Sequence, residues 1–393
     1  MNTRKRLLFF SPYYYPYISG ITTYPEQVFR SLSSEFEITV LTFAHRDDLT
    51  RHENQNGYRI IRMPYWFKIS KGFIAPLSVW TYVSQLIKHD LVILNIPNVE
   101  GTLLAILARC FGKPLISFFH CIVTMPPGLF NRVIGLVLAC ANWIQLSLCT
   151  HIIGYTEDYC QSTWVGKLYQ KTPSKYSFIL PPVPDPVVSS PEAAQIIEGN
   201  HYFRIGYAGR VATEKGLEVL IQAMAEIRKT DSKSRYTLQI AGPYGKDVAG
   251  ETAYALKIQS LLDKHNISHH FFGTLSGSAL TSFYRSLDVF VLPSINQTEA
   301  FGMVQVDAMK CGIPVVASNL PGVRVPVRLT GMGIVVEPQD EKLLAEAIKH
   351  ILKNHSLYDS QEMLQKVMVT FSYNTSIDAI RSVVLQSLSG VKK

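Results

Sequence analysis

The sequence predicts an α/β protein of two doubly wound, Rossmann-like domains facing a cleft, and three observations carry that prediction. Short apolar runs alternate with helical patterns, the alternation restarts in the second half, and a proline-rich stretch separates the two series. The first series is "RLLFFSP" (6–12), "FEITVLTF" (36–43), "DLVILN" (90–95), "PLISFFH" (114–120) and "THIIGYT" (150–156). The gaps between these runs are long enough for helices or crossovers, which suits a parallel sheet buried on both faces. The second series is "FRIGYAG" (203–209), "YTLQIAG" (236–242), "HHFFG" (269–273), "DVFVLPS" (288–294), "PVVAS" (314–318) and "GIVVEP" (333–338), interleaved with helical stretches such as "LEVLIQAMAEIRK". "PPVPDPVVSSPEAAQ" (181–195) reads as the linker, because its five prolines remove donors and fix φ. The expected domains are 1–186 and 187–374, with a C-terminal helix at about 375–393 packing back on the first.

At 393 residues, with 47% hydrophobic and 17% charged residues, the chain has material for two complete cores and is not a disordered polymer. None of the six cysteines forms a C-x-x-C pair, so they read as reduced core thiols rather than a zinc or redox motif. The start, "MNTRKRLLFFSPYYYP", carries an apolar run too short for a signal-peptide core, and the expected location is cytoplasmic.

The net charge of +8 is uneven: residues 1–186 hold 17 Lys/Arg against 11 Asp/Glu, and residues 187–393 hold 21 against 19. No basic run argues for nucleic acid. The basic half suits a phosphorylated substrate or an anionic membrane surface, and equally an ordinary solvated surface. Residues 133–150 contain no charge, a length at the lower edge of a membrane span. Asn142, Gln145 and Ser147 lie inside it and strand-like runs flank it, which favours a core or packed helix, or one resting on a membrane, over a true span. The aromatic and basic stretch "MPYWFKISKGFIAPLSVW" (63–80) supports the membrane-surface reading, or forms a lid or apolar loop packed on the core.

The stretch "TEAFGMVQVDAMKCGIPVVAS" (298–318) places Glu299 and Asp307 eight positions apart around an expected helix N-terminus near Met303. Ligands bind at the carboxyl edge of open α/β sheets, and the N–H groups of Gly302 and Met303 would face an anion there. Two flanking carboxylates suit hexose and ribose hydroxyls, so the set fits a nucleoside-diphosphate sugar. Spacing alone equally allows Glu299 and Asp307 to be dipole partners or caps of an ordinary helix.

"EAFGMVQVDAMKCGIPVVAS" resembles the E-x7-E signature of the retaining GT-B glycosyltransferases of family four. "GYAGRVATEKGLEVLIQA" (206–223) resembles that family's G-R-x4-K-G element, and "SPYYYPYISGITTYPEQVFRSL" (11–32) its N-terminal loop and first helix. The resemblance runs from about residue 6 to 350, with three elements in the family's order. It implies that Arg210 and Lys215 grip the donor diphosphate, that Glu299 meets the transferred hexose and that Asp307 meets the ribose or its phosphate. It implies that His120, at the end of "PLISFFH", contacts the hexose, although a lone histidine after an apolar strand is more often structural. The remaining donor-binding candidates are Gly20, Gly209, Phe272, Gly273, Thr274, Phe301, Gly302 and Met303. Preorganised cations would stabilise the leaving phosphate, so neither a metal nor a cofactor is expected, and no D-x-D triplet occurs.

The sequence departs from the family pattern at Asp307, where Glu is usual, at Ser19–Gly20, where two glycines are usual, and at "PPVPD" (181–185), where asparagine-glycine is usual. Only Gly20 of the first pair has free access to positive φ. The expected activity is transfer of a hexose to a lipid-linked or membrane-near glycan or glycolipid, placing the protein peripherally on the cytoplasmic membrane face. A soluble sugar or small metabolite as acceptor, or nucleotide-sugar binding without turnover, are the alternatives.

Overall fold

The computed structural model describes residues 4–187, 202–231, 235–245, 248 and 251–390. The chain divides into two compact units, Met1–Pro182 with Asn374–Lys393, and Val183–Tyr373. The C-terminal helix Tyr373–Ser389 is tied to the first unit by the Arg381–Glu35 ion pair at 2.9 Å. Residues 188–195 of the expected linker lie outside the described residues.

The first unit contains β1 (Arg6–Phe10), β2 (Glu37–Phe43), β3 (His52–Gln55), β4 (Tyr58–Met63), β5 (Phe67–Ile69), β6 (Gly72–Ile74), β7 (Leu91–Ile96), β8 (Leu115–Phe119), β9 (His151–Gly154) and β10 (Tyr176–Phe178). Eight of these form one sheet in the order β10-β9-β8-β7-β1-β2-β4-β3, parallel except for the β3–β4 pair. The five apolar runs of the first series are β1, β2, β7, β8 and β9, and β1 and β7 are buried from Leu7 to Phe10 and from Leu91 to Ile96. Because the chain leaves β1 toward β2 but continues from β7 toward β8, the loops after β1 and β7 diverge at one sheet edge, a topological switch point.

The sequence reading misses the hairpin β3–β4. Its signal is the dipeptide Asn56–Gly57, whose φ values of 50° and 85° are those of a two-residue hairpin turn that matches strand twist. The stretch 63–80 is not a plain loop: β5 and β6 pair antiparallel and the helix Ser78–Lys88 follows. Residues 133–148 of the uncharged stretch fall in the helix Leu129–Leu148, but its most apolar window is only 22% buried, so it is not a core helix. Nor are all six cysteines core thiols, since Cys110 and Cys140 sit exposed on helices.

The second unit contains β11 (Tyr202–Ala208), β12 (Arg235–Ala241), β13 (His269–Gly273), β14 (Val289–Leu292), β15 (Val315–Ser318) and β16 (Gly333–Val336) in the order β13-β12-β11-β14-β15-β16, all parallel. These are the six runs of the second series. Leu217, Leu220, Ile221 and Met224 of the helix Leu217–Thr230 pack with Leu238 and Ile240 of β12 and Ile348 and Ile351 of the helix Glu341–Lys353. Each such fully buried aliphatic side chain contributes about 1.5–3 kcal/mol. The sheet order reverses between β11 and β14, so the loops after these strands diverge at the carboxyl edge.

Candidate functional site

The loop after β11 is shaped by glycines that approach other backbone segments too closely for a side chain. Gly209 has φ 141°, and a Cβ on Gly242 would lie 2.1 Å from the Gly209 carbonyl oxygen. The Tyr207 hydroxyl donates to the Arg210 carbonyl at 2.7 Å and fixes the turn that carries Arg210. A single 3-10 turn, Thr213–Lys215, leads to Gly216 at φ 66°, where a Cβ would meet the Pro293 carbonyl oxygen at 2.2 Å. The Ile295 N–H donates to the Glu214 carbonyl at 3.0 Å, fastening this loop to the one after β14.

That second loop ends in the helix Met303–Lys310, with Cys311 as its cap and Gly312 at φ 85°. Gly302 precedes it at φ 77°, and a Cβ there would stand 2.3 Å from Leu292. The buried Gln305 amide donates to the Phe301 carbonyl at 2.6 Å and the Val323 carbonyl at 2.9 Å, locking the helix start. Phe301 is buried and meets Phe371 edge to face at 6.2 Å, so it supports the loop as packing. Met303 is half-buried at the first turn.

Four charged groups gather at this edge. Arg210 pairs with Glu214 at 2.8 Å, and Lys215 pairs with Glu299, 84 positions away in sequence. Asp307 is half-buried a turn into the helix, where desolvation raises its carboxyl to about 7 against the opposing pull of Lys310. Lys310 itself turns inward, donating to Asp185 at 2.8 Å and to the Val183 carbonyl at 2.6 Å. Phe272 and Gly273 end β13 at the same carboxyl edge, two strands from β11, with Thr274 exposed beyond them. Phe272 packs on Phe283 at 5.4 Å, and Gly273 has φ 67°. Sequence reasoning missed Glu214, whose signal was its i,i+4 position after Arg210, and Gln305, which carried none.

The switch point of the first unit is chemically different. Asn95, at the end of β7, donates to Ser11 Oγ at 3.0 Å and the Ile21 carbonyl at 2.9 Å, so it clamps both ends of the 11–20 loop. Its Oδ1 lies 2.5 Å from Nε2 of the buried His120, and the Tyr155 hydroxyl meets His120 Nδ1. With Asn95 Oδ1 accepting, Nε2 carries the hydrogen and Nδ1 accepts from Tyr155. Burial lowers the His120 pKa to about 3, which keeps the ring neutral. Both ring nitrogens of His120 are thus engaged by the protein. Gly20 does not adopt positive φ: it is the first residue of the helix Gly20–Leu32, and the Ser19 N–H donates to Thr22 Oγ1 at 2.9 Å. Among the described residues, no group of three His, Cys, Asp or Glu side chains could hold a metal ion.

Two doubly wound units, the second joining a glycine-bounded cationic turn to an acid-bearing helix start at its switch point, define a GT-B fold. Residues 192–366, within the second unit, match the family model of glycosyl transferases group 1. A D-inositol 3-phosphate glycosyltransferase of Corynebacterium efficiens is 32% identical over 149 residues, 38% of this chain and 34% of the relative. The matched stretch spans 34–42% of the length of such curated relatives. Among solved structures, sucrose-phosphate synthase from Thermosynechococcus elongatus superposes with a TM-score of 0.75 at 19% identity, covering 98% of this chain and 100% of that one. Anabaena HepE, solved with UDP and glucose, superposes with a TM-score of 0.74 at 17% identity, covering 96% and 98%. At such identities the likeness is one of fold.

Proposed function

We propose that this protein is a retaining, metal-independent hexosyltransferase that uses a nucleoside-diphosphate sugar. The observation that carries the reading is the meeting of Lys215 and Glu299 at the switch point, with Arg210 on the adjoining turn. A carboxylate beside a cation suits a ligand with hydroxyls next to phosphate: the phosphate takes over the cations and the hexose hydroxyls donate to the freed carboxylate. Glu299 is assigned to the hexose and Asp307 to the ribose or its neighbouring phosphate. Arg210 and Lys215 neutralise the charge that accumulates as the bond between the anomeric carbon and the phosphate oxygen breaks. The acceptor oxygen bonds to that carbon on the same face, and its proton passes to the departing phosphate. His120 supports the first unit through Asn95. The solved HepE complex with UDP and glucose supports a uridine nucleotide as the first donor to test.

The acceptor is assigned to the first unit as a lipid-linked or membrane-near glycan or glycolipid, and the protein to the cytoplasmic membrane face. The cationic balance of residues 1–186 supports this. A hydrolysis and transfer screen across UDP-, GDP- and ADP-sugars tests the reading, with NMR assigning the anomeric configuration of the product. Turnover of one donor with retention is expected. Binding of a donor that stays intact with every acceptor would replace the enzyme by a nucleotide-sugar binding protein, and transfer to soluble sugars alone would move the acceptor off the membrane.

A further inference from the structure

The helix Leu129–Leu148 is inside out. The side chains it buries include Asn142 and Gln145, and these make specific bonds: Asn142 Oδ1 accepts from the Asn98 N–H at 3.2 Å, and the Gln145 amide donates to the Asn98 carbonyl at 2.7 Å. Its solvent face carries Leu129, Phe130, Val133, Leu136, Val137 and Trp143, with Leu129 81% and Leu136 65% exposed. A surface helix ordinarily shows the reverse pattern.

Its neighbours continue the face. The helix Gly101–Cys110 packs against it and exposes Leu103 and Ile106, and Ser78–Lys88 packs on that helix and exposes Trp80 and Ile87. Three adjoining helices with outward apolar rows exceed the scattered single residues of an ordinary surface. The charges at these helices have one sign: Lys88, Arg109 and Arg132 are exposed. The acids nearest in sequence, Asp90 and Glu100, are half-buried and engaged by the backbone, accepting from the Arg6 N–H at 2.8 Å and the Phe73 N–H at 2.7 Å.

We propose that this three-helix face is a docking surface for an anionic lipid bilayer, with the helix Leu129–Leu148 lying in the interfacial plane. Apolar side chains enter the acyl boundary while the cations meet lipid phosphates. Charge selects the occupant, because a second copy of this face would bring like charges together. The proposal rests on the membrane-near reading of the acceptor for its purpose, but its test is independent of catalysis.

Flotation of the full-length protein is measured with vesicles of phosphatidylcholine alone and with added phosphatidylglycerol. Wild type should float with the anionic vesicles and be released by salt. The exposed-site variant Phe130→Ser/Leu136→Ser/Trp143→Ser should lose binding by about tenfold or more. Arg109→Gln and Arg132→Gln should each weaken it by about fivefold, the equivalent of one basic residue at an anionic surface. Equal flotation of wild type and the triple variant overturns the proposal, as does recovery of wild type in the soluble fraction with both vesicle types. A wild-type dimer abolished by the triple variant, without vesicle binding, assigns the face to a second copy instead. Because only exposed residues change, matched circular dichroism is expected for all variants, and transfer to a water-soluble acceptor, if present in wild type, should persist.

Discussion

The two switch points share topology and differ in chemistry. In the second unit, the loops after β11 and β14 bring two cations and two carboxylates into the ion pairs Arg210–Glu214 and Lys215–Glu299, all partly open to solvent. In the first unit, the ends of β1, β7, β8 and β9 meet through neutral groups, Ser11, Asn95, His120 and Tyr155. Ion pairs at a partly solvated edge exchange partners at low cost, so a phosphate can displace a carboxylate. A buried neutral network loses a full hydrogen bond whenever one member moves, which suits a fixed loop. The fold supplies the edge twice, and the side chains decide whether it is exchangeable or fixed.

The strongest way to break this comparison is to remove the exchangeable charges. Arg210→Ala or Lys215→Ala should lower the rate of sugar transfer by about a hundredfold or more, as loss of a preorganised charge donor does elsewhere, with folding intact by circular dichroism. Wild-type rates in both variants would sink the assignment.

A second break is steric. Gly216→Ala forces a Cβ against the Pro293 carbonyl at a φ of 66°, and should cost about 2–3 kcal/mol in urea-induced unfolding. An unchanged midpoint would show that the two loops are not held in contact.

The fixed network has a pH signature. Folded His120 stays neutral down to about 3, whereas an unfolded histidine gains a proton near 6.5. Between these values the unfolded chain binds the extra proton, so stability falls as pH drops, by up to about 1.4 kcal/mol per pH unit. Asp307 acts in the opposite direction: its folded carboxyl holds a proton up to about 7, its unfolded one only to about 3.8, so its contribution falls as pH rises through that window. Thermal melts from pH 5 to 8 should show His120→Gln losing the acid-side slope and Asp307→Asn losing the opposing one. Parallel profiles for wild type and both variants would remove the contrast.

The finest comparison lies within the charged edge. Glu299→Gln should impair transfer and sugar-nucleotide binding while leaving affinity for the bare nucleoside diphosphate nearly unchanged, and Asp307→Asn should weaken both ligands in calorimetric titration. Were both acids only helix-dipole partners, each change would instead cost about 0.3–1 kcal/mol of stability and leave affinities alone.

The sequence made the strands legible because buried parallel strands are continuous apolar runs, and all eleven such runs are strands in the structure. The hairpin β3–β4 escaped because its strands are polar or interrupted, and β4 even buries Arg62, whose charge is met by Glu53 at 2.7 Å and the carbonyls of Thr50 and Tyr15. No local pattern announces such a residue. At the site, each motif was legible within its own segment. The pairing of Lys215 with Glu299 is a property of the sheet, because two segments 84 positions apart must fold together before the two side chains meet. Asn95 was invisible for a related reason: an asparagine ending an apolar strand looks like any strand terminus until the loop it clamps is in place. The apolarity of Leu129–Leu148 was plain, but the direction it faces depends on Asn98, a partner outside the helix.

Gly216 has a consequence for anyone who would re-engineer this edge. Its missing side chain is the space into which the Pro293 carbonyl fits, and the Ile295–Glu214 bond sits beside that contact. The two turns therefore form one interlocked part with a single shared seam. A segment transplanted from another enzyme in place of either turn alone would arrive with the wrong half of that seam, and residues lengthening one turn would push the other out of register. Exchange of the pair as a cassette, 209–216 together with 293–302, keeps the seam whole.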